Sequence, residues 1–172
     1  MAHPVDFKIE HLDERVNSEH DEYFPAMTAD EKLLMFTRAL PIERGSYYPG
    51  SKNEDFFFAE STEDGAWNDA YNPGSPLNTM LNEGAPTLSP DGKYLIFTAC
   101  DLGDYGQYGP DKQGFGSCDL FVSVRQGNKW MKPVNMGPTI NSKHWETQPS
   151  FASDGQTIYF IRGKYDLSLI HI

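Results

Sequence analysis

The sequence predicts an all-β fold built from repeated, four-stranded antiparallel units. Three observations point to it: a segment of about 62 residues that recurs along the chain, Asp-Gly turns between short apolar runs, and an aromatic, glycine- and proline-rich composition. The chain has 172 residues, enough for one domain and hardly two. Apolar residues reach only 38% while aromatics reach 13%, beside 15 glycines and 12 prolines. That balance favours short strands and tight turns over a helical bundle.

The repeat organises the rest. Asn17 through Pro25 returns as Asn78 through Pro86 and again as Asn141 through Pro149. In each copy a Glu follows the Asn five positions on (Glu22, Glu83, Glu146), and a Pro follows three later. An Asp at the next turn (Asp30, Asp91, Asp154) and an aromatic closing the next strand (Phe36, Phe97, Phe160) recur at the same shifts of 61 and 63. The second half repeats as well: Asp55-Phe56-Phe57-Phe58 matches Asp119-Leu120-Phe121-Val122, and Trp67 matches Trp130.

Each element follows from this unit. Pro86–Ser89 is a first strand, Pro90–Lys93 a turn and Tyr94–Thr98 a second strand. Asp91-Gly92 and Asp154-Gly155 supply the positive φ that a tight hairpin needs, whereas Asp30-Glu31 fits a looser turn. A glycine-rich loop over 101–117 leads to a third strand, Asp119–Ser123. A turn at 126–128 leads to a fourth, Lys129–Val134. Helical periodicity is convincing nowhere; Thr28 to Leu34 tempts, but the repeat overrules it.

Repeated four-stranded antiparallel units are the pattern of β-propeller blades. The period exceeds the roughly 40–45 residues of a WD-type blade, and the excess lies between strands two and three. The expected architecture is a partial β-propeller of about two and a half blades belonging to a larger ring. Residues 1–15, with Phe7-Lys8-Ile9, would be the last strand of a preceding blade. Residues 16–76 would form blade one, 77–139 blade two and 140–163 the first half of blade three.

The Ser89-Pro90-Asp91-Gly92-Lys93-Tyr94-Leu95-Ile96-Phe97 run resembles the TolB-type, WD40-like propeller repeat. Three segments more narrowly resemble the propeller of OmpA-family outer-membrane proteins of Bacteroidetes, including PorE-like members tied to type IX secretion and gliding. They are 82–86, 145–150, and 97–101 with 116–120. The resemblance covers residues 5 to 162 and implies a periplasmic, outer-membrane-associated parent protein. It also implies peptidoglycan binding through a separate domain that this sequence does not contain. The tail, 164–172, departs from the family, because Asp166 arrives only 6 positions after Phe160 whereas Asp119 follows Phe97 by 22. It is either a drastically shortened hairpin or foreign sequence; Leu167 to Ile172 looks like translated sequencing adaptor, which is the preferred reading.

Candidate sites are few. Cys100 ends the second strand and Cys118 begins the third, so their Cα atoms should fall within the 4.4–6.8 Å that a disulfide tolerates. A bridge, and with it an extracytoplasmic home, is expected over two buried reduced thiols. Asp101, Asp104 and Asp111 crowd the glycine-rich loop, and such loops can wrap calcium. Their spacing does not match an EF-hand, so a solvated loop and no cofactor are expected. Tyr105, Tyr108 and Phe115 would anchor a partner if exposed, or pack back on the blade rim.

Glu22, Glu83 and Glu146, at equivalent positions, read as structural acceptors and not as catalytic carboxylates, whose environments must differ. Asn17, Asn78 and Asn141, and Asp55 and Asp119, read the same way. His20 and His144 lack a metal-ligating partner in sequence, and Trp67, Trp130 and Trp145 read as packing, with Trp145 also open to ligand stacking. No nucleophile elbow, phosphate loop or His-Glu-x-x-His motif occurs.

The net charge of −11 argues against a nucleic-acid partner, which needs a basic face. No apolar run approaches the roughly 18 residues of a membrane span. Met1 to Asp6 has neither the basic start nor the apolar stretch of a secretory signal. The expected function is a non-catalytic, cell-envelope interaction scaffold whose partners are envelope proteins. A propeller that binds glycan, peptidoglycan fragments or calcium, or one accessory to a peptidase, is the alternative.

Overall fold

A computed structural model describes residues 8–42, 51–101, 108 and 113–163. Ten strands follow in chain order: β1 (Asp21–Met27), β2 (Leu33–Pro41), β3 (Lys52–Glu60), β4 (Glu83–Leu88), β5 (Tyr94–Cys100), β6 (Cys118–Gln126), β7 (Lys129–Trp130), β8 (Val134–Asn135), β9 (Trp145–Phe151) and β10 (Ile158–Gly163). No helix occurs among the described residues. One sheet has the order β1-β2-β3. The other runs β10-β9-β6-β5-β4, with β7 and β8 pairing β6. Neither closes on itself. Pairing is antiparallel save for a single parallel bridge from β6 to β9, Cys118 opposite Trp145.

Alternation along the strands sorts the core into two layers. Met35, Phe56 and Phe58 leave one face of the first sheet and meet Leu95, Phe97, Ala99 and Phe121 from the second. Leu34, Phe36, Phe57 and Ala59 leave the other face and pack with Val16 and Trp67. The edge of Phe56 meets Phe97 at 5.1 Å between centroids, and Phe58 stacks on Trp130 at 6.0 Å. Each such side chain stabilises by about 1.5–3 kcal/mol when fully buried, so this aromatic seam is the main force joining the first strand group, β1–β3, to the second, β4–β8; β9 and β10 form the third.

The recurring Pro and the recurring Phe face each other. On β1 the register jumps from Tyr23↔Thr37 to Ala26↔Met35, leaving Phe24 and Pro25 opposite Phe36. The jumps on β4 and β9 leave Ala85-Pro86 opposite Phe97 and Gln148-Pro149 opposite Phe160. In all three bulges the residue before Pro has a positive φ: Phe24 53°, Ala85 48° and Gln148 50°. Proline fits here because the bulge needs no ladder donor from it.

The turn into the second strand is also common to all three groups, which corrects the looser turn expected at Asp30-Glu31. Glu31 (φ 58°) adopts the conformation of Gly92 (φ 67°) and Gly155 (φ 66°). The same two backbone bonds close each turn, as in Glu31 N–H to Thr28 O and Thr28 N–H to Leu33 O, both at 3.0 Å. Asp30 accepts from Thr28 Oγ1 and Lys32 N, as Asp91 does from Ser89 Oγ and Lys93 N.

The fourth strand differs from expectation. Lys129–Val134 is no continuous strand, because Pro133 has no N–H and the ladder splits into β7 and β8. In the first group only two bridges stand in its place, Phe58↔Tyr71 and Ser61↔Trp67. The first strand of the second group begins earlier than expected, at Glu83, and Ser89 belongs to the turn. Residues 8–15, expected as a strand, form none; Arg15 O instead accepts from Ala70 N. Phe7 and the tail 164–172 lie outside the described residues.

Candidate functional site

The strand groups are joined by polar clamps as well as by the core. Asn78 Oδ1 accepts from Phe56 N, and its Nδ2 donates to Phe56 O. Asn72 Oδ1 accepts from Asn78 Nδ2, and Asn72 Nδ2 donates to Asp55 Oδ2. The same chain recurs with the Asn residues 63 positions on and their partners 64: Asn141 holds Leu120, Asn135 holds Asn141, and Asp119 accepts from Asn135. Sequence reasoning missed Asn72 and Asn135, although Asn72-x-Gly74 returns as Asn135-x-Gly137 at the repeat shift. Burial pushes the Asp55 carboxyl above its usual range, against the lowering effect of Asn72. Asn17 instead donates to Leu12 O.

The three Glu residues each fold back on the turn before them. Glu22, Glu83 and Glu146 accept from the N–H and hydroxyl of Ser18, Thr79 and Ser142 respectively. Arg38 adds an ion pair to Glu22 at 2.8 Å, and Arg162 one to Glu146 at 2.7 Å. Each guanidinium also donates to the carbonyl of Val16 or Ile140. Both arginines occupy one repeat position, which in the second group is Ala99; that alignment was the signal available in the sequence. Asp91 takes hydrogen bonds from Ser89 Oγ and Lys93, which hold its carboxyl down at about 2. Asp30 and Asp154 are lowered likewise, mainly by the Thr28 hydroxyl and the Thr157 backbone N–H. His20 and His144 are half-buried, and their backbone N–H groups donate to Ser18 and Ser142 Oγ.

Cys100 and Cys118 form a disulfide. Their Cα atoms stand 4.0 Å apart, slightly closer than expected, because the two residues are directly opposed in a pair without mutual backbone hydrogen bonds. Asp101 N donates to Ser117 O beside the bridge. Asp104, Tyr105 and Asp111 lie outside the described residues. Tyr108 is fully buried, so packing is its role and it cannot anchor a partner. Its hydroxyl donates to Gly116 O at 2.7 Å, its ring meets Phe121 at 5.4 Å, and burial pushes its pKa up. Asp119 accepts from Phe115 N and Gly116 N, which fixes the returning limb of the loop. Phe115 itself is 49% exposed. A Cβ on Gly116 would fall 1.6 Å from His144 O, so only glycine lets the loop base touch the third strand group. The Trp145 ring lies against Gly163.

The three bulged strands β1, β4 and β9 stand side by side and line a groove of about 610 Å³. Phe24, Met27, Pro86, Thr87, Gln148 and Phe151 are among its walls, and among the described residues no ionisable side chain contributes to it. A smaller cleft of about 330 Å³ lies between the first and second groups, with Phe58, Tyr71 and Trp130 beside Arg125 and Lys129. Among the described residues no three His, Cys, Asp or Glu side chains are grouped to hold a metal ion.

No family model matches the chain, and no curated protein matches it in sequence. Among solved structures the chain is similar to TolB from Acinetobacter baumannii, at 17% identity and a TM-score of 0.39. The match covers 89% of this chain and 40% of that one.

Proposed function

We propose that the three strand groups are blades of a β-propeller, over residues 16–76, 77–139 and 140–163, and that the chain serves as a non-catalytic protein-interaction scaffold in the cell envelope. The observation that carries this reading is the groove: three equivalent bulged strands side by side, lined by no ionisable group among the described residues, in a chain of net charge −11. An uncharged wall of Pro, Phe and Met suits apolar segments of a partner protein better than it suits chemistry, which needs titratable groups. The disulfide supports an oxidising compartment. Phe115, presented on a loop limb fixed by Asp119 and the bridge, is a second contact point. A link to OmpA-family proteins and to secretion or gliding machinery draws its support from the sequence resemblance.

Photo-cross-linking residues placed at Met27 in the groove, at Phe115, and at the 93%-exposed Met80 as a control test this in native envelopes. Discrete protein adducts from Met27 or Phe115, absent from Met80, are expected. No adducts, or the same adducts from all three positions, would overturn the scaffold reading.

A further inference from the structure

The smaller cleft has a chemistry that the groove lacks. Phe58, 1% exposed, forms its floor. Trp130 and Tyr71 flank it with ring centroids 6.0 Å from Phe58 and planes tilted by only 17° and 31°. Tyr71 is 47% exposed, so an apolar wall faces water at the mouth. Two cations, Arg125 and Lys129, stand at the same cleft in an otherwise strongly acidic chain. The Arg125 guanidinium has one long ion pair, Nη2 to the half-exposed Glu60 Oε1 at 3.9 Å, beyond hydrogen-bond reach, and lies 6.0 Å from the Trp130 ring centroid. Its buried Nε has no hydrogen-bond partner among the described residues. Nor does the repeat demand this wall, because Val134 stands where Tyr71 would recur.

We infer that this cleft binds a six-membered ring bearing a carboxylate, the ring lying along Tyr71 and Trp130 and the carboxylate meeting Arg125 with Lys129 nearby. The volume of about 330 Å³ suits one such ring, and the guanidinium fork suits a carboxylate. An aromatic acid and an acidic sugar share this chemistry. The inference stands independently of the scaffold reading.

The test is an NMR titration of the full chain, following the Trp130 indole N–H against those of Trp67 and Trp145. Sodium benzoate and sodium glucuronate are the probes, with benzyl alcohol and glucose as their uncharged counterparts. Saturable movement of Trp130 alone is expected with one of the acids, about tenfold or more weaker for its uncharged counterpart. Arg125→Gln should weaken binding by a similar factor, Tyr71→Ala and Lys129→Gln by several-fold each. Preference for benzoate identifies an aromatic acid, and preference for glucuronate an acidic glycan. No saturable response to either acid, or an equal response to the uncharged probes, overturns the inference. So does undiminished binding by folded Arg125→Gln. Should that variant fail to fold, undiminished binding by both Tyr71→Ala and Lys129→Gln overturns it instead.

Discussion

The side-chain amide of Asn78 holds both backbone polar groups of Phe56, donating to its carbonyl and accepting from its N–H, each at 2.9 Å. It does what a neighbouring strand would do for the outer edge of β3. Asn141 does the same for Leu120 on β6. Successive strand groups are thereby fixed in register without continuous sheet pairing, and the aromatic seam supplies the attraction between the first two.

Asn78→Ala should therefore cost about 2–4 kcal/mol, because two buried backbone groups lose their partners together. Urea unfolding would show this as a lower midpoint. Asn72→Ala, one hydrogen bond further out, should cost less, since Asn78 keeps its grip on Phe56.

Thr37 offers a gain. Its Oγ1 is buried without a partner, whereas Thr98, the equivalent residue of the next group, meets Thr147 Oγ1 at 3.2 Å. The difference is Gly84, which stands where Thr147 recurs and brings no hydroxyl. Thr37→Val should stabilise by about 1 kcal/mol, while Thr98→Val should be neutral or destabilising because it strands Thr147. Thermal unfolding of the two variants would separate them in sign.

A left-handed non-glycine residue costs roughly 1–2 kcal/mol. Glu31 occupies the position of Gly92 and Gly155, so Glu31→Gly should stabilise by about 1 kcal/mol after glycine's extra chain entropy is subtracted. Gly92→Ala should destabilise by at least as much, since its Cβ would also press on Thr28 Cγ2 at 2.9 Å. The two changes should move the urea midpoint in opposite directions.

Titration should show carboxylates of opposite sign. Asp91 is held at about 2, below its unfolded value of roughly 3.9. Its contribution is complete above the unfolded value and is lost as pH falls through the folded one. Asp55 is raised by burial, so its effect favours the fold at low pH and fades as pH rises through its elevated value. Carboxyl-carbon NMR should place the Asp91 midpoint near 2 and that of Asp55 above the usual Asp range. Asp91→Asn should flatten the loss of stability between about pH 4 and 2.

What the sequence showed and what it hid follow from one distinction. Features carried by a single position at a fixed shift were legible: the strand order within a group and the Asp-Gly turns. Features set by cross-strand register were not, save the Cys100–Cys118 pairing, which two cysteines flanking one loop made plain. Arg38 reaches Glu22 only because β2 lies opposite β1, and Asn72 reaches Asp55 only because the chain doubles back. The bulge is hidden although both its partners, Pro25 and Phe36, recur in the sequence, because nothing in a linear pattern says they oppose each other. Tyr108 showed the limit of composition: a loop aromatic fits an exposed anchor and rim packing alike, and only the core around Phe121 decides for burial. Pro133 is a signal of the break in the fourth strand that the sequence does carry, since it lacks the N–H a ladder needs.

The bridge gives the last prediction. Cys100 and Cys118 are separated by 18 residues, a loop whose closure limits the unfolded chain by about 3 kcal/mol. Replacing both with serine should lower stability by about 2–4 kcal/mol and loosen the limb that carries Phe115. The Phe115 adduct should weaken in that variant while the Met27 adduct persists, because the groove strands β1, β4 and β9 owe their placement to the core and the Asn clamps. A thiol count on protein from its native compartment should find none before reduction and two after. Two free thiols at the outset would remove the physical argument for an oxidising compartment and leave only the sequence resemblance to support it.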